Sequence, residues 1–250
     1  MKVLFDYQIF TSQEYGGVSR YYMELKNELE KINGIQIDIK PLFPRNRYFQ
    51  KKYHRKIYIS KNKNWILFTE ILNKMYNFLL CLINRYDVVH ITWNARYLNR
   101  LCKSKLIVTV HDMIHELYME DAVIEIRNKK RAIEDSAIIV ADSYSTKNDI
   151  LRLYPYIDEK KIKVVYLGTN HLPAAQKPSS VLLPAKYILY VGRREGYKNG
   201  MFYIKSIPRL LQMEPDLHFV FVGGERWNSS EEKLVDQYRD RIVQLQVSDA

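Results

Sequence analysis

Short apolar runs alternate along this chain with stretches whose apolar residues recur every three or four positions. That alternation constrains the fold more than any other feature. Val3–Asp6 reads as a buried strand, and a loop ending in Gly16-Gly17 follows it. Val18, Tyr22, Leu25, Leu29 and Ile32 then mark one face of an amphipathic helix. Asn33-Gly34 is placed to stop that helix, and Ile35, Ile37 and Ile39 alternate with polar residues as a second strand should. Further strands are expected at Val88–Thr92, Leu106–Val110, Ile138–Ala141 and Lys163–Leu167, with Ser143 or Ser145 capping a helix that runs to about Tyr154. Strands separated by helices predict a mostly parallel sheet covered on both faces.

The stretch His171–Pro184 holds three prolines and two serines and breaks this pattern. After it the alternation restarts with strand Tyr187–Val191, a helix from about Asn199 to Met213 and strand His218–Val222. A helix from Ser230 to about Arg241 and a strand Ile242–Val247 follow. The expected organisation is one complete α/β domain over residues 1–172, a linker over 173–185, and over 186–250 the first half of a second nucleotide-binding unit.

Composition narrows the class. Hydrophobic residues make up 47% of the 250 residues and charged residues 27%, the balance of a chain that folds around a core. Two cysteines without a C-x-x-C exclude a disulfide scaffold and a thiolate zinc site and suit a reducing cytosol. The amino terminus is already strand-like, so no signal peptide is expected, and no apolar run is expected to reach the ~20 residues of a membrane span.

The net charge of +11 is concentrated. From Ile39 to Thr69 there is no acidic residue, while Lys40, Arg45, Arg47, Lys51, Lys52, Arg55, Lys56, Lys61 and Lys63 all fall there, interleaved with aromatic residues. Such a cluster attracts a polyanion: an anionic membrane surface or the phosphate of an acceptor. Nucleic acid is not expected, since no zinc-finger spacing, RNP motif or heptad accompanies the charge. From Trp65 to Ile83, residues Thr69, Glu70, Asn73, Lys74 and Asn77 form one narrow polar stripe on an otherwise apolar helix. Two readings stand: a helix packed on a sheet, or a basic amphipathic element touching the inner membrane surface.

Ligands of a doubly wound sheet bind beyond the carboxyl ends of its strands, which singles out four loops. Gly16-Gly17 precedes a helix, where glycine admits a ligand to the backbone and the helix amino terminus favours an anion; a plain tight turn is the alternative. His111-Asp112 follows a strand, and the histidine suits proton transfer or a hydrogen bond to a polar substrate, or else a capping or core role. Near it, His115-Glu116 fails the H-E-x-x-H pattern because Met119 stands in the last place. The loop from Gly192 to Lys198 brings Arg193, Arg194 and Lys198 to an anion-binding position without being a P-loop or a dinucleotide fingerprint. Gly223-Gly224 follows the next strand and is placed either against a nucleotide's sugar or base, or as a close helix–strand turn.

These motifs, in this order, resemble the retaining glycosyltransferases of family 4, which have the GT-B fold of two Rossmann-like domains. Phe5-Asp6-Tyr7-Gln8-Ile9-Phe10, Tyr15-Gly16-Gly17-Val18-Ser19-Arg20-Tyr21-Tyr22 and Val110-His111-Asp112-Met113 look like the bacterial polysaccharide mannosyltransferase branch. The family's Val-Gly-Arg signature is matched by Val191-Gly192-Arg193 with Lys198-Asn199, and its glycine after the last strand of the first domain by Gly168, with Asn170 where an aspartate is common. The resemblance implies a GDP- or UDP-linked sugar donor, a glycan or lipid-linked acceptor, and transfer of a hexose, mannose first. Arg193 and Lys198 would neutralise the diphosphate, Gly16 and Gly17 would approach it, and His111 would contact the transferred sugar. It further implies no cofactor and no metal, in keeping with the lack of a D-x-D motif, while the cysteine usage and the basic stretch, Lys51 to Lys63, point to a cytoplasmic location at the inner face of the membrane. The family's paired acidic residues of the second domain have no counterpart before Ala250, which reads as a fragment or a truncated product. On that reading the alternative is a non-catalytic binding module.

Overall fold

The structure, a computed structural model, describes residues 1–54, 60, 62–84, 86–93, 104–119, 121–168, 182–224 and 226–245. The chain divides into two compact units, Met1–Thr169 and Asn170–Ala250.

The first unit runs β1 (Lys2–Phe5), α1 (Gln8–Ser12), α2 (Gly17–Leu29), β2 (Gln36–Ile39), α3 (Arg47–Tyr53), α4 (Lys63–Ile83), β3 (Val88–Ile91), β4 (Lys105–Val110), α5 (Ile114–Tyr118), α6 (Val123–Asp135), β5 (Ile138–Ala141), α7 (Tyr144–Leu153) and β6 (Ile162–Val164). Its strands form one sheet in the order β2-β1-β3-β4-β5-β6, with every neighbouring pair parallel. This is the α/β architecture expected of the alternation. Successive side chains of a strand face opposite ways, and β1 shows the consequence. Val3 and Phe5 enter one apolar cluster with Tyr22, Ile37 and Phe49, while Leu4 enters another with Val89, Val108, Ile133 and Ile139. Burial on both faces is what a continuous apolar run such as Val-Leu-Phe encodes.

Local signals place the helix ends. The Ser143 side chain accepts from the Thr146 N–H at 3.1 Å and caps α7. The helix read as reaching Ile32 ends at Leu29 instead, and two short turns and Gly34, at φ +85°, carry the chain into β2. The last strand of this unit ends at Val164, three residues before Leu167.

Helix α4 corrects two expectations. At 21 residues, with an apolar window of mean hydropathy 1.4, it is long and apolar enough, by length and composition, to cross a membrane. It is also packed the opposite way round from a helix resting its apolar side on a sheet. Four of the five stripe residues face inward, with Asn73 1% exposed and Asn77 0%, while Lys74 is exposed. The apolar side faces out, with Leu67 at 61% and Met75 at 57%. The inward residues hydrogen-bond to the segments they pack against. Asn73 Oδ1 accepts from the N–H groups of Leu42 (2.7 Å) and Phe43 (3.2 Å), and Asn77 Nδ2 donates to the Lys40 carbonyl (3.4 Å). The Glu70 carboxylate accepts from the Tyr7 hydroxyl at 2.7 Å and the Thr11 hydroxyl at 3.4 Å.

The second unit runs β7 (Tyr187–Val191), α8 (Gly200–Met213), β8 (His218–Val222), α9 (Ser229–Val235) and β9 (Ile242–Leu245). Its strands are parallel in the order β7-β8-β9, matching the expected partial Rossmann-like unit. Phe219 and Phe221 of β8 pack with Ile204 and Ile207 of α8 and with Val235 of α9. The helix expected to reach Arg241 stops at Val235 and continues as a 3₁₀ turn over Asp236–Arg241. Most of the expected linker, residues 173–181, and Asn170 lie outside the described residues.

Candidate functional site

In the first unit the site builds outward from the ends of β4 and β5. These strands pair Val110 with Ala141, so the residues that follow, His111 and Asp142, leave the sheet side by side. His111 Nδ1 lies 3.6 Å from Asp142 Oδ2. Asp142 is held in turn by the Thr146 hydroxyl, which donates to Oδ1 at 3.0 Å, and the same hydroxyl approaches the His111 carbonyl at 3.3 Å. The Tyr21 ring from α2 stands edge-on to the imidazole at 5.1 Å. The Asp112 carboxylate accepts from the Ile114 N–H at 3.0 Å, at the start of α5.

Burial pushes the His111 pKa down, against the pull of the Asp142 and Asp112 carboxylates, and the net direction is downward. The ring is therefore neutral at neutral pH. With a carboxylate facing Nδ1 the proton resides there, which leaves the Nε2 lone pair as an acceptor. Nε2 is buried and has no hydrogen-bond partner among the described residues. His111 lines a cavity of ≈ 100 Å³ together with Val18, Trp93, Asp112, His115 and Lys129. Lys129 is drawn in by Glu116 Oε2 at 2.9 Å and the Asp112 carbonyl at 3.1 Å.

The cavity reaches α2 through Val18, the residue after Gly17. A Cβ at Gly17 would meet nothing within 4 Å, so the chain's own packing does not require glycine there. At Gly16 a Cβ would strike the Gln13 side chain at 2.2 Å. His111, Gly16 and Gly17 are thus brought together at one end of the sheet.

In the second unit the residues following β7 and β8 converge. Gly192 (φ +116°), Gly223 (φ +77°) and Gly224 (φ +78°) take left-handed backbone conformations, and a Cβ on Gly224 would sit 3.1 Å from the Gly192 carbonyl oxygen. A Cβ on Gly192 would lie 3.0 Å from Lys198 Nζ, so the absence of a side chain is what lets the ammonium approach the backbone. The Tyr190 hydroxyl ties the loop by donating toward the carbonyls of Arg193 (2.9 Å) and Lys198 (3.3 Å). Arg193 and Lys198 are exposed and form no ion pair among the described residues.

Arg194 departs from the expectation of three cations facing a ligand. It is 6% exposed, and its guanidinium forms a two-pronged pair with Glu231 at 2.8 and 3.1 Å. It also donates to the Arg226 carbonyl at 3.2 Å and lies 4.2 Å from the centre of the Trp227 ring. Glu231 in turn accepts from the Asn228 N–H in the capping box of α9. Arg194 holds the loop to α9, and its charge is already matched.

Of the basic stretch, Lys51 and Lys52 are exposed on α3 and Lys63 opens α4, while Arg55, Lys56 and Lys61 lie outside the described residues. Asp142, Thr146 and Lys129 belong to the His111 site and were not singled out from the sequence. Asp142 had a usable signal, since it stands directly after a predicted strand, as His111 does.

The family description Glycosyltransferase Family 4 matches residues 15–171. The chain belongs to glycosyltransferase family 4. A curated relative in the same class is the provisionally named glycosyltransferase YtcC of Bacillus subtilis (strain 168), 25% identical over 183 residues. That match spans 63% of this family 4 chain and 44% of YtcC, so less than half of the relative's length is represented. Among solved structures, the apo form of the lipopolysaccharide outer core galactosyltransferase WaaB superposes with a TM-score of 0.60 at 17% identity, over 100% of this chain and 69% of WaaB. A glycosyltransferase from Rickettsia africae ESF-5 gives 0.61 at 17% identity, over 99% and 68%. A co-structure of S. aureus MnaA with UDP gives 0.56 at 14% identity, over 99% and 69%. These likenesses establish the GT-B fold for the family 4 chain.

Proposed function

We propose that the chain serves a retaining, metal-independent transfer of a hexose, mannose first, from a GDP- or UDP-linked donor to a glycan or lipid-linked acceptor in cell-surface glycan synthesis, at the cytoplasmic face of the membrane. The observation that carries this reading is the glycine-lined turn after β7 and β8, where Arg193 and Lys198 are exposed, without an ion pair among the described residues, beside backbone stripped of side chains. A departing nucleoside diphosphate gains negative charge, and fixed cations favour that state over the ground state. Family membership and the co-structure of MnaA with UDP support the same donor chemistry.

His111 has a complementary part. A neutral imidazole with a free Nε2 accepts a hydrogen bond from a sugar hydroxyl and adds no positive charge beside a developing oxocarbenium centre. Asp142 keeps the ring in that tautomer, and Gly17 leaves room against the amino terminus of α2.

The test is transfer of labelled hexose from GDP-mannose and a panel of UDP-hexoses to membrane-extracted acceptor. Lys198→Ala should lose on the order of 10²–10³ in rate, as removal of one charge-stabilising donor does elsewhere. Its unfolding midpoint should stay put, because the side chain is exposed. Unchanged turnover in this variant would remove the diphosphate role. Conversion of the donor sugar without any acceptor would move the reading to an epimerase, and no turnover with intact polyanion binding would leave a binding module.

A further inference from the structure

We infer that the outward face of α4 is a membrane-docking surface that lies in the plane of an anionic lipid bilayer. Leu67, Phe68, Ile71, Met75, Leu79 and Leu82 follow one another at helical spacing, and each is about half exposed or more. At 1.5 Å per residue their stripe runs along a helix of roughly 30 Å, far longer than a scattered surface leucine requires. A water-facing helix carries the opposite pattern.

Two features determine how lipid meets this face. The first is that α4 does not span. Its polar stripe is anchored to the domain through Asn73, Asn77 and Glu70, whose partners lie on the 40–43 segment and around α1. A spanning helix would have to abandon those bonds and place three polar side chains in hydrocarbon. Lying flat keeps every one of them and immerses only the apolar side, by roughly 5–10 Å.

The second is charge. Glu70 is the only acidic residue in α4, and it is turned inward to Tyr7 and Thr11. The charges left outside are cationic. Lys63 is exposed in the first turn, and Lys74 is exposed beside Met75, long enough to lift its ammonium to the headgroups while its stem stays among the apolar residues. Trp65, 41% exposed, edge-on to Phe43 and tilted against Phe68, marks the same end with the aromatic residue that favours the interface. The exposed lysines leave this face cationic, and phosphatidylglycerol supplies the missing negative charge.

The inference does not depend on the donor chemistry, so its test needs no turnover. The full chain is floated on a sucrose gradient with phosphatidylcholine vesicles, with or without phosphatidylglycerol as about one lipid in three. Wild type should float with the anionic vesicles and be released by a carbonate wash. Ile71→Glu combined with Met75→Glu should lower partitioning at least roughly tenfold, since both side chains leave the immersed area. Lys63→Glu with Lys74→Glu should lose roughly tenfold on anionic vesicles only. All four positions are exposed, and unchanged circular dichroism and melting midpoint certify the fold.

Three outcomes would overturn the inference: no flotation of wild type, equal flotation of the Ile71/Met75 variant, or retention through carbonate. So would a lipid-free dimer that the Ile71/Met75 variant dissolves, which would assign the face to a second copy.

Discussion

Replacing Asn73 by leucine should destabilise the protein, although it makes an apolar helix more apolar and a better helix former. Asn73 Oδ1 takes two backbone N–H groups, from Leu42 at 2.7 Å and Phe43 at 3.2 Å, and Nδ2 donates to the Thr69 carbonyl at 2.9 Å. Leucine offers no acceptor. Each stranded N–H costs about 1–2 kcal/mol in a half-buried setting. Leucine regains only about 0.5 kcal/mol in helix propensity. The net loss is about 2–3 kcal/mol, a large share of a typical stability of roughly 5–15 kcal/mol. Urea unfolding followed by circular dichroism reads it directly. Asn64→Leu is the control: the same exchange on the same helix, at an exposed position, with an effect within about 0.5 kcal/mol. If Asn73→Leu is as stable as wild type, or if Asn64→Leu loses as much, the inward-facing polar stripe is not what holds α4.

Three further outcomes are expected. Glu231→Ala removes the two-pronged carboxylate partner of the buried Arg194 guanidinium and opens the capping box of α9, so it should cost about 3–5 kcal/mol in the same unfolding assay. Arg193→Ala, one residue from Arg194, should leave the unfolding midpoint unchanged and weaken donor use, measured by the transfer assay. Burial holds His90 down to about 3, below the roughly 6.5 of an unfolded histidine. The unfolded chain alone takes up that proton as pH falls through 6.5, so this stabilisation is complete above 6.5 and is lost towards pH 3, roughly 4–5 kcal/mol in all. Asp6, raised by burial to about 6, has the opposite sign: its contribution is greatest at low pH and falls away as pH rises through 6. The His90 share is therefore the difference in pH slope between wild type and His90→Gln, and identical slopes would refute it.

Much of the fold was legible in the sequence because strand and helix periodicities are local. The runs at Ile138–Ala141, Tyr187–Val191 and His218–Val222 are strands over those residues, since four or five apolar side chains bounded by polar turns have no better local conformation. The Ser143 cap follows from one side chain and one N–H three residues on. Placement of His111 and of the glycine turns at strand ends follows from the same alternation, because a parallel sheet delivers its connecting loops to one edge.

What the sequence could not supply is the sign of a contact. Arg193 and Arg194 are neighbours of identical chemistry. Glu231, 37 residues on and brought close by α9, makes Arg194 a structural tie, while Arg193 stays exposed. The stripe on α4 is the clearer case. Periodicity shows that the helix has two faces and is silent on which turns inward. That is decided by the N–H groups of Leu42 and Phe43 and the Tyr7 hydroxyl, which lie far away in sequence and take their oxygen acceptors from Asn73 and Glu70. A buried polar group without a partner costs more than an apolar side chain left outside, so the hydrogen bonds, known only in the tertiary structure, orient the helix.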